Sequence, residues 1–236
     1  LDSKSIMLGL DNSGMEPRVL DAFLEQINLP HGLLLVTGPT GSGKSTTLES
    51  ALAQIDRATM NVSTVEDPVE YNLEYTNQVK VNEKTGMTVA AALLSLLRQD
   101  PDIIMIGEIR DGETARIAVQ AALTGHLVLS TLHTNDAPSS VSRLVNIGIE
   151  PYLIAASLNG ILAQRLVRRI CKHCKEPYTA PENLRKYLDR AKIEPSQLFH
   201  GKGCDQCRNS GYAGRAGIFE LLVVDEKFRE IINQDA

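Results

Sequence analysis

Two patterns alternate along this chain. Short apolar runs mark strands buried on both faces, and stretches with an apolar residue every three or four positions mark amphipathic helices. Val19, Leu20, Phe23, Leu24 and Ile27 fall at helical spacing before Pro30, so residues 1–31 read as a helical lead-in. Leu33 to Val36 predicts a strand, and Lys44 to Ile55 predicts the helix after it. Met60 to Val65 and Thr76 to Val81 read as further strands. From Thr88, a capping residue, a helix carries Val89, Leu93, Leu96 and Leu97 and stops near Asp100 and Pro101.

Asp102 to Glu108 is an apolar strand ending in a carboxylate. Asp111 to Leu123 follows as a helix closed by Gly125, and His126 to Leu132 as another buried strand. Asp136 caps a helix ending at Gly148, and Pro151 to Ile170 reads as one long amphipathic helix. From Cys171 to about residue 217 the composition shifts towards Lys, Pro, Gly and Cys, the mark of a small appended domain. Gly217 to Val224 predicts a returning strand, with a last helix from Asp225. The expected organisation is therefore a lead-in (1–31), a core (32–170), a tetracysteine subdomain (171–217) and a terminal strand and helix (218–236). A start at Leu1 and an end inside a charged helical pattern read as an excerpt from a longer chain.

Strands alternating with helices predict an α/β fold with a mainly parallel sheet covered on both faces. In such a sheet the ligand sits at the carboxyl ends of the strands. Gly38, Glu66, Glu108 and His133 each follow an apolar strand and are expected to converge there. The first of these ends is the most informative. Gly38, Pro39, Thr40, Gly41, Ser42, Gly43, Lys44, Ser45 and Thr46 fit the P-loop pattern G-x-x-x-x-G-K-S/T between a strand and a helix. Glycines let backbone N–H groups turn around a phosphate, and a helix N-terminus adds partial positive charge. Lys44 can reach the β- and γ-phosphates, and the Ser45 hydroxyl can hold Mg²⁺. The chain is expected to bind a nucleoside triphosphate.

Phosphoryl transfer to water also needs a group that orients the water and positive charge for the transition state. Glu108 and Glu66 are the candidate catalytic carboxylates, and either can join Ser45 around Mg²⁺. Arg98 and Arg110 are candidates for the charge, with surface ion pairing the plain alternative. His126 and His133 bracket one strand, and their odd separation puts them on opposite faces, so they do not share a metal. His133, at the carboxyl end, can donate to a γ-phosphate.

Composition narrows the field. A net charge of −5 offers little to a nucleic-acid partner, although Arg165, Arg168 and Arg169 cluster locally. No apolar run is long enough to span a bilayer, and the expected location is cytoplasmic. Cys171 and Cys174 form one C-x-x-C pair and Cys204 and Cys207 another, with 29 residues between them. Two such knuckles match a closed tetrahedral Zn²⁺ site that folds a domain too small for its own core, although iron also takes thiolates.

These motifs together resemble the secretion ATPase superfamily of type II secretion and type IV pilus assembly motors (the GspE/PilB family). Gly38 to Thr47 looks like its Walker A, Thr64-Val-Glu-Asp-Pro-Val-Glu-Tyr71 like its Asp box, and Ile103 to Asp111 like its atypical, glutamate-bearing Walker B. Leu123 to Asn135 looks like its His box. The tetracysteine module is typical of the assembly branch. The resemblance implies a RecA-like P-loop NTPase core, a homo-hexamer in the full-length protein, Mg-ATP hydrolysis, and catalytic roles for Glu108, Glu66 and His133. It also implies partners, an inner-membrane platform protein and a cytoplasmic adaptor, which would hold the motor peripherally at that membrane. The family's amino-terminal domains, which complete the adenine pocket and supply arginines, do not precede this P-loop, so weak turnover is expected of this stretch alone. Two other readings compete. One is a nucleotide-gated assembly scaffold that hydrolyses little. The other is a conjugation-type translocation ATPase, which calls for basic pore residues.

Overall fold

The computed structural model describes residues 9–10, 13–192 and 198–235. The parts of the expected lead-in at 1–8 and 11–12 lie outside the described residues. Chain contacts divide the molecule into two compact units: one runs to Arg165 and resumes at Gly217, and the other is Leu166–Ala216.

In the first unit α1 (Pro17–Ile27) precedes β1 (Gly32–Thr37), α2 (Lys44–Gln54), β2 (Val62–Glu66) and β3 (Asn77–Lys80). Then come α3 (Val89–Leu96), β4 (Ile103–Ile106), α4 (Gly112–Leu123), β5 (Leu127–Leu132), α5 (Pro138–Asn146) and α6 (Pro151–Ser157). β6 (Leu158–Ile170) leaves this unit, β9 (Tyr212–Val223) re-enters it, and α8 (Glu226–Asp235) closes the chain. The sheet order is β3-β2-β4-β5-β1-β6-β9, and the pairs from β3 through β6 are parallel.

Why both faces of this sheet are covered follows from the strand period of two. Leu33, Leu35, Ile104, Ile106, Val128 and Leu132 pack in one cluster with Ala115, Ala118, Ala121 and Ala122 of α4. Their neighbours Leu34, Val36, Ile103, Met105, Leu127 and Leu129 pack in a second cluster with Phe23 and Ile27 of α1 and Leu48 and Leu52 of α2. Small alanines let α4 approach its face closely. Helix starts are fixed by their caps: the Thr88 hydroxyl accepts from the Ala91 N–H at 3.1 Å, and Asp111 Oδ1 accepts from the Thr114 N–H at 2.8 Å.

The long helix expected over Pro151 to Ile170 does not form. α6 ends at Ser157, and the rest is strand. Leu158, Ile161 and Leu162 satisfy helical spacing, yet β1 offers an open edge, and Leu33 to Thr37 pair with Leu158 to Ala163. Gly160 suits that edge, because a Cβ there would meet the Leu222 carbonyl at 3.1 Å and Leu34 Cδ1 at 3.3 Å. Tertiary pairing overrides the local period. The returning strand also begins earlier than expected, at Tyr212 rather than Gly217.

The second unit has little apolar interior. β7 (Lys175–Pro177) and β8 (Phe199–Gly201) pair antiparallel, and α7 (Glu182–Ala191) lies between them in sequence. Arg168 stacks on Tyr212 at 4.0 Å and Lys175 on Phe199 at 3.7 Å, cation–π contacts at the surface.

Candidate phosphate site and tetracysteine centre

β1 delivers Thr37 to a loop that can exist only with glycine at its bends. Gly38 has φ +148°, and a Cβ there would collide with the Gln164 carbonyl and with Ser42 Oγ. Gly43, with φ +88°, ends the loop and caps α2 in the left-handed region. Lys44 then turns back under the loop: its side chain is buried (8% exposed), and Nζ donates to the Gly38 carbonyl at 3.0 Å and the Pro39 carbonyl at 3.3 Å. Burial lowers its pKa, and the Glu108 carboxylate opposes that shift. An ammonium held by carbonyls, with a carboxylate nearby, stands in the place a phosphate would neutralise. Ser45 lies exposed on the first turn of α2, and its hydroxyl has no partner among the described residues.

The other strand ends supply carboxylates. Glu108 follows β4; its Oε2 accepts from Arg110 Nε at 3.0 Å, and its Oε1 lies 3.1 Å from His133 Nε2. Glu66 ends β2, is 5% exposed, and its Oε1 accepts from the Thr64 hydroxyl at 2.5 Å and Gln78 Nε2 at 3.0 Å. So Glu108, His133 and Arg110 meet directly, and Glu108 acts electrostatically on Lys44.

Arg98 does not join them within this chain. It lies on the turn after α3 that enters β4 at its amino end, where Asn61 binds the Gln99 and Asp100 carbonyls. Helical spacing and the Thr88 cap predict α3, but they do not tell which end of the sheet its last turn reaches. His126 sits at the amino end of β5, its Nδ1 3.0 Å from the Ala121 carbonyl, far along the strand from His133.

Several site residues carried no sequence signal. The Thr37 hydroxyl lies 2.6 Å from Thr134 Oγ1 and accepts from the Thr134 N–H at 2.9 Å, while Thr134 Oγ1 lies 2.7 Å from Ser140 Oγ. This chain of hydroxyls ties the loop carrying His133 to the end of β1. Gln164 on β6 is 4% exposed and binds the phosphate loop, a role hidden while its stretch read as helix. Glu49 of α2 is buried beside Glu66 and Glu70. Burial, then Glu70 and Glu66, push its pKa up to about 8. The only hint was a carboxylate among Leu48, Ala51 and Leu52.

The second site is the thiol cluster. The Cys171, Cys174, Cys204 and Cys207 sulfurs all lie within 4.8 Å of one another. The Cys171–Cys204, Cys174–Cys207 and Cys204–Cys207 distances are 3.9, 3.8 and 3.7 Å. Four metal–sulfur bonds of about 2.3 Å directed to a tetrahedron put sulfurs about 3.8 Å apart, so the donors fit one ion such as Zn²⁺. Backbone N–H groups also point at the sulfurs, Gly203 to Cys174 at 3.3 Å, and Cys204 and Gly211 to Cys207 at 3.2 and 3.3 Å. Burial raises the Cys207 pKa, but those two N–H donors and the neighbouring thiols outweigh it and bring it to about 6, while burial and its neighbouring thiols push Cys174 up to about 12, so without an ion the cluster shares its protons unevenly.

The family model described as "Type II/IV secretion system protein" matches residues 1–236. The chain is 52% identical over 236 residues to "Type II secretion system ATPase E" of Vibrio cholerae, covering 100% of this chain and 47% of that protein. It is 53% identical over 225 residues to "Type IV pilus assembly ATPase PilB" of Thermus thermophilus, covering 94% of this chain and 25% of that protein. Among solved structures it resembles the pilus retraction motor PilT with bound ADP, with TM-score 0.73 and 32% identity over 98% of this chain and 57% of that one. The ATPase DotB of Legionella pneumophila gives TM-score 0.67 and 26% identity over 94% and 52% of the two chains. The chain thus spans about half the length of the first curated relatives it matches, 47% in the Vibrio protein.

Proposed function

The chain belongs to the type II/IV secretion system protein family, and from that premise we propose that it is the Mg-ATP-binding and hydrolysing motor region of a hexameric ATPase. In this reading the motor powers assembly of a type IV pilus or a type II secretion pseudopilus, as the names of the Thermus and Vibrio relatives suggest. It works at the cytoplasmic side of the inner membrane through a platform protein and an adaptor; no helix among the described residues is long and apolar enough to cross a membrane. One observation carries the proposal: Lys44 lies buried beneath a glycine-bent loop, with the Glu108–His133 pair at the neighbouring strand ends.

The residues divide the work. Backbone N–H groups of the loop from Gly38 to Gly43 and of the first turn through Thr46 hold the phosphates, and Lys44 moves from the Gly38 and Pro39 carbonyls to the β- and γ-phosphates. Ser45, Glu66 and Glu108 would hold Mg²⁺, hard oxygen donors for a hard cation that neutralises charge on the transferred group. One of the two glutamates orients the attacking water and takes its proton. Glu108 stands nearer Lys44 in electrostatic terms, while Glu66 is already oriented by Thr64 and Gln78. His133 leaves Glu108 to donate to a γ-phosphate oxygen, and Arg110 supplies charge beside it. Cys171, Cys174, Cys204 and Cys207 would hold a structural Zn²⁺, which cross-links two distant parts of the chain. The Glu66–Glu49–Glu70 cluster and the net charge of −5 give no support to a nucleic-acid track.

The test uses the full-length protein, ATP binding and steady-state turnover. Lys44→Ala is expected to lose nucleotide binding with the fold intact. Glu108→Gln is expected to keep binding and lose turnover by about 10²–10³-fold, the usual cost of a lost transition-state contact. Wild-type affinity in the lysine variant, or wild-type turnover in the glutamine variant, would overturn the assignment. Low turnover in the wild type itself, with tight binding, would favour the scaffold reading.

A further inference from the structure

We propose that Gln164 is a positioning residue for the phosphate loop, aiming the Gly43 N–H at the nucleotide by holding the carbonyl on the other side of the same peptide bond. The inference rests on the nucleotide-site reading above and adds to it a residue from β6, outside every motif that carried that reading.

The geometry has three parts. First, the Gln164 carboxamide is gripped at both ends: Nε2 donates to the Ser42 carbonyl at 2.7 Å, and Oε1 accepts from the Thr47 hydroxyl at 2.8 Å. A carbonyl can only accept, so the amide nitrogen must face Ser42, which fixes the orientation of the carboxamide. Second, Ser42 and Gly43 share a peptide bond. In a trans peptide the C=O and N–H point in opposite directions, so holding the Ser42 carbonyl towards β6 turns the Gly43 N–H away from it. That N–H finds no acceptor among the described residues. Third, the loop's own bonds, from Lys44 Nζ to the Gly38 and Pro39 carbonyls and from the Ser42 N–H to the Pro39 carbonyl, do not satisfy all of its groups. Ser42 Oγ is buried without a hydrogen-bond partner, so the loop keeps an orphaned hydroxyl that a relaxed loop would satisfy. The hold on the Ser42 carbonyl comes from outside the loop, and β6 backs directly on it, since the Gln164 carbonyl fills the space a Cβ at Gly38 would need.

Gln164 touches neither phosphate nor water in this scheme. It sets the direction of a donor that does, so its loss is expected to weaken binding of ATP and ADP alike, and to raise KM more than it lowers kcat. Packing alone makes a different prediction. At a buried site, methionine replaces glutamine at similar length, and a filler role would leave affinity unchanged.

The experiment measures ATP and ADP affinity, KM, kcat and the nucleotide-free melting temperature of the full-length protein and two variants. Gln164→Met, which lacks the donor, is expected to weaken both nucleotides about ten-fold, with a smaller fall in kcat and a melting temperature within a few degrees of wild type. Gln164→Glu, isosteric but presenting an oxygen to the Ser42 carbonyl, is expected to weaken them further, and it decides the matter if the methionine variant does not fold. Wild-type affinity in a folded variant that lacks the donor would overturn the proposal. So would loss confined to kcat. A Lys44→Ala control separates the two levels: if it binds ATP as the wild type does, the nucleotide-site reading fails, whereas loss in Lys44→Ala with no loss in the Gln164 variants rejects this proposal alone.

Discussion

Around the phosphate loop, side chains are positioned by packing: Leu33, Leu34, Leu35 and Val36 are all fully buried on β1, and both faces of the sheet are covered. In Leu166–Ala216, by contrast, Cys171, Ala180, Leu188 and Cys207 are the only buried apolar residues among those described, and two of the four are thiols. At about 1.5–3 kcal/mol for each large apolar side chain removed from water, the first unit can order its loop by burial, and the second cannot order itself that way. The thiol cluster takes the place of a core. The difference teaches where each site is vulnerable: the phosphate site to cavities and to misplaced polar partners, the cysteine site to loss of any one of its four thiols.

The largest effect expected is therefore in the small unit. Stripping the metal with a chelator, or Cys171→Ser, is expected to unfold Leu166–Ala216 and remove one equivalent of bound metal. Sites of this kind contribute about 10 kcal/mol or more to folding in small thiolate domains. Elemental analysis with hydrogen exchange reads both consequences, and unchanged metal content in the serine variant would break the comparison. Next comes Leu35→Ala in the packed unit, which opens a cavity beneath β1 and is expected to cost about 3 kcal/mol. Its metal content should stay at that of the wild type; denaturant unfolding beside elemental analysis checks the pair.

A pH-dependent effect of intermediate size belongs to Glu49. Its ordinary pKa of 4.5 rises to about 8 in the folded chain, through burial first and the Glu70 and Glu66 carboxylates second. Between those values the folded state holds a proton that the unfolded state releases, so stability falls as pH rises from 4.5 to about 8 and levels off above. Glu49→Gln is expected to flatten that slope and to stabilise the nucleotide-free protein by about 2 kcal/mol near pH 8, with solvent screening part of the shift. Melting curves across pH measure it; a slope identical to wild type would mean that Glu49 ionises freely. The smallest change is Asp111→Ala, which removes the cap of α4 at a cost of about 1 kcal/mol, read from the denaturation midpoint.

Much of the packed unit was legible because its signals are local. The Thr88 and Asp111 caps, the apolar runs at β1, β4 and β5, and the glycine spacing of the phosphate loop each depend on residues within a turn or two. The P-loop, the strand-end carboxylates and the four cysteines were therefore named from order and spacing. The stretch from Leu158 to Ile170 was misread because its local period suits a helix, while its partner strand β1 lies more than a hundred residues earlier. With that strand went Gln164, whose two partners are 117 and 122 residues away in sequence. The position of Arg98 at the amino end of β4 was hidden for a related reason: periodicity names an element's type but not which end of the sheet it reaches.

The sequence by itself determined the chemistry available: a phosphate loop, two strand-end glutamates, a histidine beside them, and thiols in pairs. Those follow from side-chain type and short-range geometry, which the chain carries wherever it folds. Only the tertiary structure decided which of these groups meet. It brought His133 to Glu108, buried Glu49 against Glu66, closed four sulfurs to within 4.8 Å, and laid Gln164 under the loop. Contacts between distant segments are set by which faces and edges the whole sheet leaves open, and no local pattern contains that information.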